Sequence, residues 1–92
     1  MPKIQKIRQC VREQNYRITI HAQREADEDN LDKEDVETIL LTGKITKKFT
    51  HDPRGIRYLT TGKSRNGRNA CVVCRFLETG KLSIITVYAK GE

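Results

Sequence analysis

Hydrophobic positions change their period three times along this chain, and the changes mark out its elements. Ile4, Ile7 and Val11 recur at helical spacing, with Lys3, Gln5, Lys6, Arg8, Gln9, Arg12 and Glu13 on the other faces. Pro2 suits a first turn, because proline already has the helical φ and lacks only an N–H that the helix leaves unused. The pattern predicts an amphipathic helix of about three turns, ending near Asn15. Tyr16 to Ile20 then alternates, with Ile18 and Ile20 on one side and Arg17 and Thr19 on the other, as a short strand or extended lead-in does. His21 to Asp29 returns to helical spacing, placing His21, Arg24, Glu25 and Glu28 on one face and Ala22 and Ala26 on another. Its acidic end, Asp27, Glu28 and Asp29, opposes the helix macrodipole, so this helix depends on tertiary packing.

The third helix carries the clearest local signals. Asp32 is an N-cap, Asp35 stands three residues on in a near relative of the capping box, and Leu31 can staple onto Val36. Val36, Ile39 and Leu40 form the buried stripe, and Gly43 is the expected left-handed C-terminal residue. Alternation then takes over. Strands are predicted over Lys44–His51, Ile56–Thr61, Ala70–Leu77 and Leu82–Ala89, with Lys90–Glu92 as a tail. Asp52-Pro-Arg-Gly55, Gly62–Asn69 with its Asn66-Gly67 signal, and Glu78–Lys81 are the turns. Ala70–Leu77 is apolar on both faces except for Arg75, as expected of a central strand covered on both sides. Helices first and strands after predict an α+β fold, with N-terminal helices packed on one face of a four- to five-strand antiparallel meander.

The 92 residues make one domain with a modest core. No run of about 18 apolar residues is present, so no membrane span is expected. The N-terminal stretch lacks the apolar region of a signal peptide, and the default location is the cytoplasm. Net charge is +6, but residues 1–42 carry a net −2 and residues 43–92 a net +8. A basic half beside an acidic one points to a polyanionic partner, nucleic acid first and an acidic protein second. Cys10, Cys71 and Cys74 are an odd number of thiols, read as free and packed in a reducing compartment. Cys71 and Cys74 have CxxC spacing, but i and i+3 of a strand face opposite ways, and no second Cys/His pair completes a metal site. No metal and no cofactor are expected.

The basic half supplies residues that a phosphate-handling surface uses: Lys47, Lys48, Arg54, Arg57, Tyr58, Lys63, Arg65, Arg68, Arg75 and Tyr88. Arg75 interrupts an apolar strand, where an unpaired guanidinium is costly. Either it pairs with a helix carboxylate such as Glu25 or Glu28, or it faces a solvated concave site. RNA cleavage without a metal needs a base for the 2′-OH, cations for the phosphorane and an acid for the 5′-oxygen. Histidine, arginine, lysine and tyrosine can supply all three. Plainer roles stand beside these. His21 can cap backbone groups or bond Glu25, His51 can serve the turn it precedes, and Tyr58 and Tyr88 can be ordinary strand residues.

Ile18-Thr-Ile-His21-Ala-Gln-Arg24, the Asp-capped helix ending at Gly43, Arg57-Tyr58-Leu59 followed by Gly62, and Ile85-Thr86-Val87-Tyr88 together resemble a bacterial family of small proteins marked by a His-Ala-x-x-Arg motif. That family is similar to the RelE/ParE toxin superfamily, including BrnT-like toxins. The resemblance implies a microbial-ribonuclease-like fold and a toxin partnered by an acidic or zinc-containing antitoxin from a neighbouring gene. His21 and Arg24 match the family motif and Tyr88 the terminal one. The leading expectation is a type II toxin acting as a metal-independent endoribonuclease on mRNA, including mRNA on the ribosome. In it His21 is the acid/base group, Arg24 and Arg75 stabilise phosphorane charge, and Tyr88 orients the phosphate. Lys47, Arg57, Lys63, Arg65 and Arg68 hold the RNA backbone. The rival expectations are a non-catalytic basic module that binds nucleic acid or an acidic protein, and a scaffold in which His21 and Arg24 are core hydrogen-bonding residues.

Overall fold

A computed structural model describes residues 2–91. Helix α1 (Lys3–Arg12) is followed by strand β1 (Tyr16–Ile18), helices α2 (Ile20–Glu28) and α3 (Lys33–Thr42), and strands β2 (Lys44–Phe49), β3 (Arg57–Lys63), β4 (Asn69–Phe76) and β5 (Leu82–Ala89). The strands form one sheet in the order β1-β5-β4-β3-β2. The fold is α+β, three helices on a five-strand sheet that is mixed but mostly antiparallel. The meander β2 to β5 is antiparallel, as expected. β1 departs from the expected all-antiparallel sheet: it adds to the far edge in parallel with β5, Tyr16 opposite Leu82 and Ile18 opposite Ile84.

Several boundaries shift for physical reasons. α1 stops at Arg12 rather than near Asn15, because Gln14 takes a positive φ. β1 ends at Ile18 because Thr19 becomes the N-cap of α2, its Oγ1 accepting from the Ala22 N–H at 3.1 Å. Ile20 therefore falls on the helix, where it is 74% exposed, and does not share a buried side with Ile18. β2 ends at Phe49, two residues short of His51.

α3 has its full capping box: Asp32 Oδ1 accepts from the Asp35 N–H and Asp35 Oδ2 from the Asp32 N–H. Gly43 is not left-handed; its φ of −83° and ψ of −169° are extended. Glycine is required there by proximity, since a Cβ would lie 2.5 Å from both the Ile39 and the Thr61 carbonyl oxygens. That contact seats the end of α3 on β3.

The core lies between the helices and one face of the sheet. Ile7, Val11, Ala22, Ala26, Val36, Ile39 and Leu40 meet Tyr58, Ala70, Val72, Cys74, Leu82, Ile84 and Val87. Alternation sends Arg57, Leu59, Cys71, Val73, Arg75 and Ser83 to the opposite face. No helix covers that face, although Cys71, Val73 and Ser83 are themselves buried by their neighbours. Cys71 and Cys74 thus point to opposite sides. All three cysteines are free, and burial pushes the Cys74 thiol up to about 12.

The two sheet edges are protected differently. β1 pairs only with the first half of β5, which leaves the Val87 and Ala89 N–H groups at the edge without a strand partner. Helix α2 lies along this edge and supplies carboxylates instead. Glu25 Oε1 accepts from Val87 N at 3.3 Å and Asp29 Oδ2 from Ala89 N at 2.7 Å. Residues i and i+4 on the helix thereby match i and i+2 on the strand. β2, the other edge, is lined by Lys44, Lys47 and Lys48, charges that discourage pairing with another chain.

Candidate functional site

Cross-strand register builds the site. On the uncovered face Arg17 of β1 stands opposite Ser83 of β5, and Ser83 stands opposite Arg75 of β4. Tyr58 pairs with Cys74, so continuing that register by one residue brings Arg57 beside Arg75, and Arg57 pairs in turn with Phe49 of β2. One row therefore crosses all five strands: Arg17, Ser83, Arg75, Arg57, Phe49. Like charges side by side in a sheet are destabilising.

The row floors a cavity of about 260 Å³. Arg17, Arg57, Arg75 and Ser83 line it from the sheet, Arg54 from the β2–β3 turn, and Thr19 and His21 from the start of α2. Arg17 Nε donates to Ser83 Oγ at 3.2 Å. Arg75 Nε is buried with no hydrogen-bond partner among the described residues. The alternative in which Arg75 pairs with Glu25 or Glu28 is not what the structure has; Arg75 faces the concave site. Among the described residues, Asp52 is the one carboxylate ion-paired with these arginines, although it lines the neighbouring cavity and not this one. It bonds Arg54 Nε at 3.3 Å, and its Oδ2 lies 3.3 Å from Arg57 Nε, near enough for an ion pair but out of line for a hydrogen bond. The Arg54 backbone N–H, then its guanidinium, with Arg57 beside them, hold the Asp52 carboxyl below the usual range.

His21 answers both readings of its role. Its Nε2 lies 3.2 Å from Glu25 Oε1, one helical turn on, and the ring also lines the cavity with Arg75. The imidazole is 70% exposed, whereas Glu25 is anchored by the Val87 N–H. The two groups are close enough for an ion pair but, like Arg57 and Asp52, out of line for a hydrogen bond. Sheet edge, carboxylate and imidazole form one chain of contacts ending at the arginine cavity.

A second cavity, of about 640 Å³, adjoins the first and shares Arg54 and Arg57 with it. Lys47, Phe49 and His51 line it. The Lys47 ammonium and the Arg57 guanidinium each lie 5.0 Å from the centroid of the Phe49 ring. A third cavity, under α1, is bordered by Lys3, Lys6, Cys10 and Phe76. Its thiol is a packed one: burial pushes Cys10 up, and its Sγ–H reaches the Gly80 carbonyl at 3.5 Å.

The remaining candidates divide. Arg24 does not line the cavity; it is exposed and has no side-chain hydrogen bond or ion pair among the described residues. Tyr88 is partly exposed and does not line the cavity. The Cys71 thiol, burial and the Glu25 carboxylate together raise its hydroxyl. Lys63 is exposed at the end of β3.

Arg65 and Arg68 line neither of these two cavities and make contacts within the fold. Arg65 reaches the first turn of α3, binding Asp32 at 2.5 Å, Glu34 at 2.8 Å and Asp35 at 3.2 Å. Burial pushes the Asp35 carboxyl up, but the N–H groups of Asp32 and Arg65 and the Arg65 guanidinium outweigh it, and the net shift is downward. Arg68 Nη1 donates to the Asp29 carbonyl at the end of α2, at 2.6 Å. The sequence pattern names Arg54 as a phosphate-handling residue and leaves His51 open between turn and chemistry, but it does not single out Arg17 or Ser83, which line the cavity.

A family model described as a domain of unknown function, DUF4258, matches residues 18–89. The chain belongs to the DUF4258 family. No curated protein and no solved structure matches it significantly. The DUF4258 match takes in His21, Glu25, Arg54, Arg57, Arg75 and Ser83 and starts one residue after Arg17. The cavity is thus built almost wholly from this DUF4258 domain. Among the described residues no group of three or more His, Cys, Asp or Glu side chains is placed to hold a metal, and no helix is long and apolar enough to cross a membrane.

Proposed function

We propose that this DUF4258 protein is a metal-independent endoribonuclease of the RelE/ParE toxin kind, with the arginine cavity as its phosphodiester site. The observation that carries the reading is the row Arg17–Ser83–Arg75–Arg57 beside the His21–Glu25 pair. The His21 imidazole takes the proton from the 2′-OH as that oxygen attacks phosphorus. Arg17, Arg57 and Arg75 stabilise the charge that grows on the equatorial oxygens, a role in which donors fixed before reaction count most. His51, in the adjoining cavity, gives its proton to the 5′-oxygen as the P–O5′ bond breaks. The products are a 2′,3′-cyclic phosphate and a free 5′-hydroxyl. Compared with the assignment expected from the sequence, Arg57 and Arg17 take the part given to Arg24, and Glu25 orients His21. Tyr88, opposite Cys71 and outside the cavity, is given no part on the phosphate.

The partners follow from the same face. RNA occupies it during cleavage, mRNA on the ribosome included. A cognate antitoxin, acidic or zinc-containing, covers it otherwise. The test is incubation of purified protein with RNA in the presence of EDTA. Cleavage to cyclic-phosphate ends is expected, with His21→Ala slower by about 100-fold or more. RNA that stays intact while binding it in a salt-sensitive way contradicts catalysis and leaves a binding module. Induced expression in a bacterial host tests the toxin assignment: growth arrest relieved by the neighbouring gene is expected, and unaffected growth contradicts it.

A further inference from the structure

We infer that the second cavity is a nucleotide subsite, in which the base next to the bound phosphodiester stacks on Phe49 and its phosphate is held by Lys47 and Arg54. The inference rests on the RNA reading of the first cavity and names the form of RNA taken: a single strand spanning both cavities.

Three observations carry it. The two cavities are continuous in chemistry, since Arg54 and Arg57 line both. A ligand with one phosphate uses one cavity, and a ligand with successive phosphates uses both. Second, the cross-strand row that floors the first cavity ends at Phe49, on the same sheet face as Arg57 and in register with it. An aromatic ring at the end of a row of arginines is what a base–phosphate alternation calls for. Third, the ring is half-buried, and the cations over it are Lys47 and Arg57. Lysine has a flexible stem, so an entering base displaces its ammonium from the ring toward the phosphate. A duplex keeps its base faces stacked inside and cannot use the ring, so the subsite selects single strands. An acidic peptide has charge for the arginines but nothing planar for Phe49.

The experiment measures binding of fluorescently labelled 2′-O-methyl RNA, which cannot be cleaved, so that binding is read apart from catalysis. A hexanucleotide is expected to bind roughly tenfold more weakly to Phe49→Leu than to the parent, the range of a lost base stack. The same oligonucleotide made abasic is expected to bind both proteins equally. Lys47→Ala, an exposed change that tests the subsite without disturbing the sheet, is expected to lower the slope of log K against log salt by about 0.7. Equal binding of the base-bearing strand by parent and Phe49→Leu overturns the inference, as does duplex binding as tight as single-strand binding. Intact RNA in the cleavage assay with the Phe49 effect present refutes the nuclease and leaves the subsite standing. Cleavage without the Phe49 effect does the reverse.

Discussion

Arg65 and Arg75 both lie in the basic half of the chain, and their surroundings are opposite. Arg65 sits in the β3–β4 hairpin with three carboxylates from the start of α3 around it. Arg75 sits in the middle of the uncovered sheet face, between Ser83 and Arg57 in the row, with a buried Nε that has no partner among the described residues. The first arrangement satisfies a cation within the fold. The second leaves a cation to be satisfied by something else. Net charge counts the two alike. What separates them is where the carboxylates went: those of α3 cap a helix and tie down a hairpin, those of α2 protect a sheet edge, and among the described residues Asp52 alone is ion-paired with arginines of the cavity, Arg54 and Arg57.

The comparison can be broken at either end. The largest effect is expected from Arg75→Met in the cleavage assay, a fall of about 100- to 1,000-fold for one lost donor to transition-state charge. Its midpoint in urea should be unchanged or higher, because a like-charge contact is relieved. Asp35→Ala should do the opposite, costing about 2–3 kcal/mol in urea unfolding while leaving RNA affinity alone, since it removes charge-assisted hydrogen bonds to the Arg65 and Asp32 N–H groups.

The same carboxyl sharpens the comparison through pH. Asp35 has a lowered value in the fold, so its contribution is full above the unfolded value near 4 and is lost as pH falls through the folded value. The urea midpoint of the parent should fall below about pH 4 more steeply than that of Asp35→Asn. Equal acid profiles would show that Arg65 and Asp35 are not coupled. The smallest effect is expected from Lys63→Ala, no more than about threefold in RNA affinity, as one exposed cation outside both cavities.

Local chemistry made much of this fold legible. The Asp32 capping box, the burial of Leu31 and Val36 and the meander of β2 to β5 are written in neighbouring residues, and the structure has them. The errors arose where distant segments meet. β1 pairs with β5 across more than sixty residues, so nothing near Arg17 signals that Ser83 and Arg75 extend its row. Gly43 was expected to be left-handed from its place after a helix, and its actual reason is the Thr61 carbonyl on another strand. The helix-face pattern grouped Arg24 with His21, but the fold turns His21 toward the sheet and Arg24 outward. For Arg65 and Arg68 the sequence displays the charge and hides the partner. Arg17 had one readable sign, its polar place between Tyr16 and Ile18 in an alternating run, which sends it to the uncovered face.

The most direct test of the division between structural and available arginines is one titration: labelled, non-cleavable single-stranded RNA against Arg75→Met, with Arg65→Met as the control. The account predicts that Arg75→Met loses roughly tenfold or more in affinity while Arg65→Met binds as the parent does. Equal losses in both variants, or a loss confined to Arg65→Met, would contradict it.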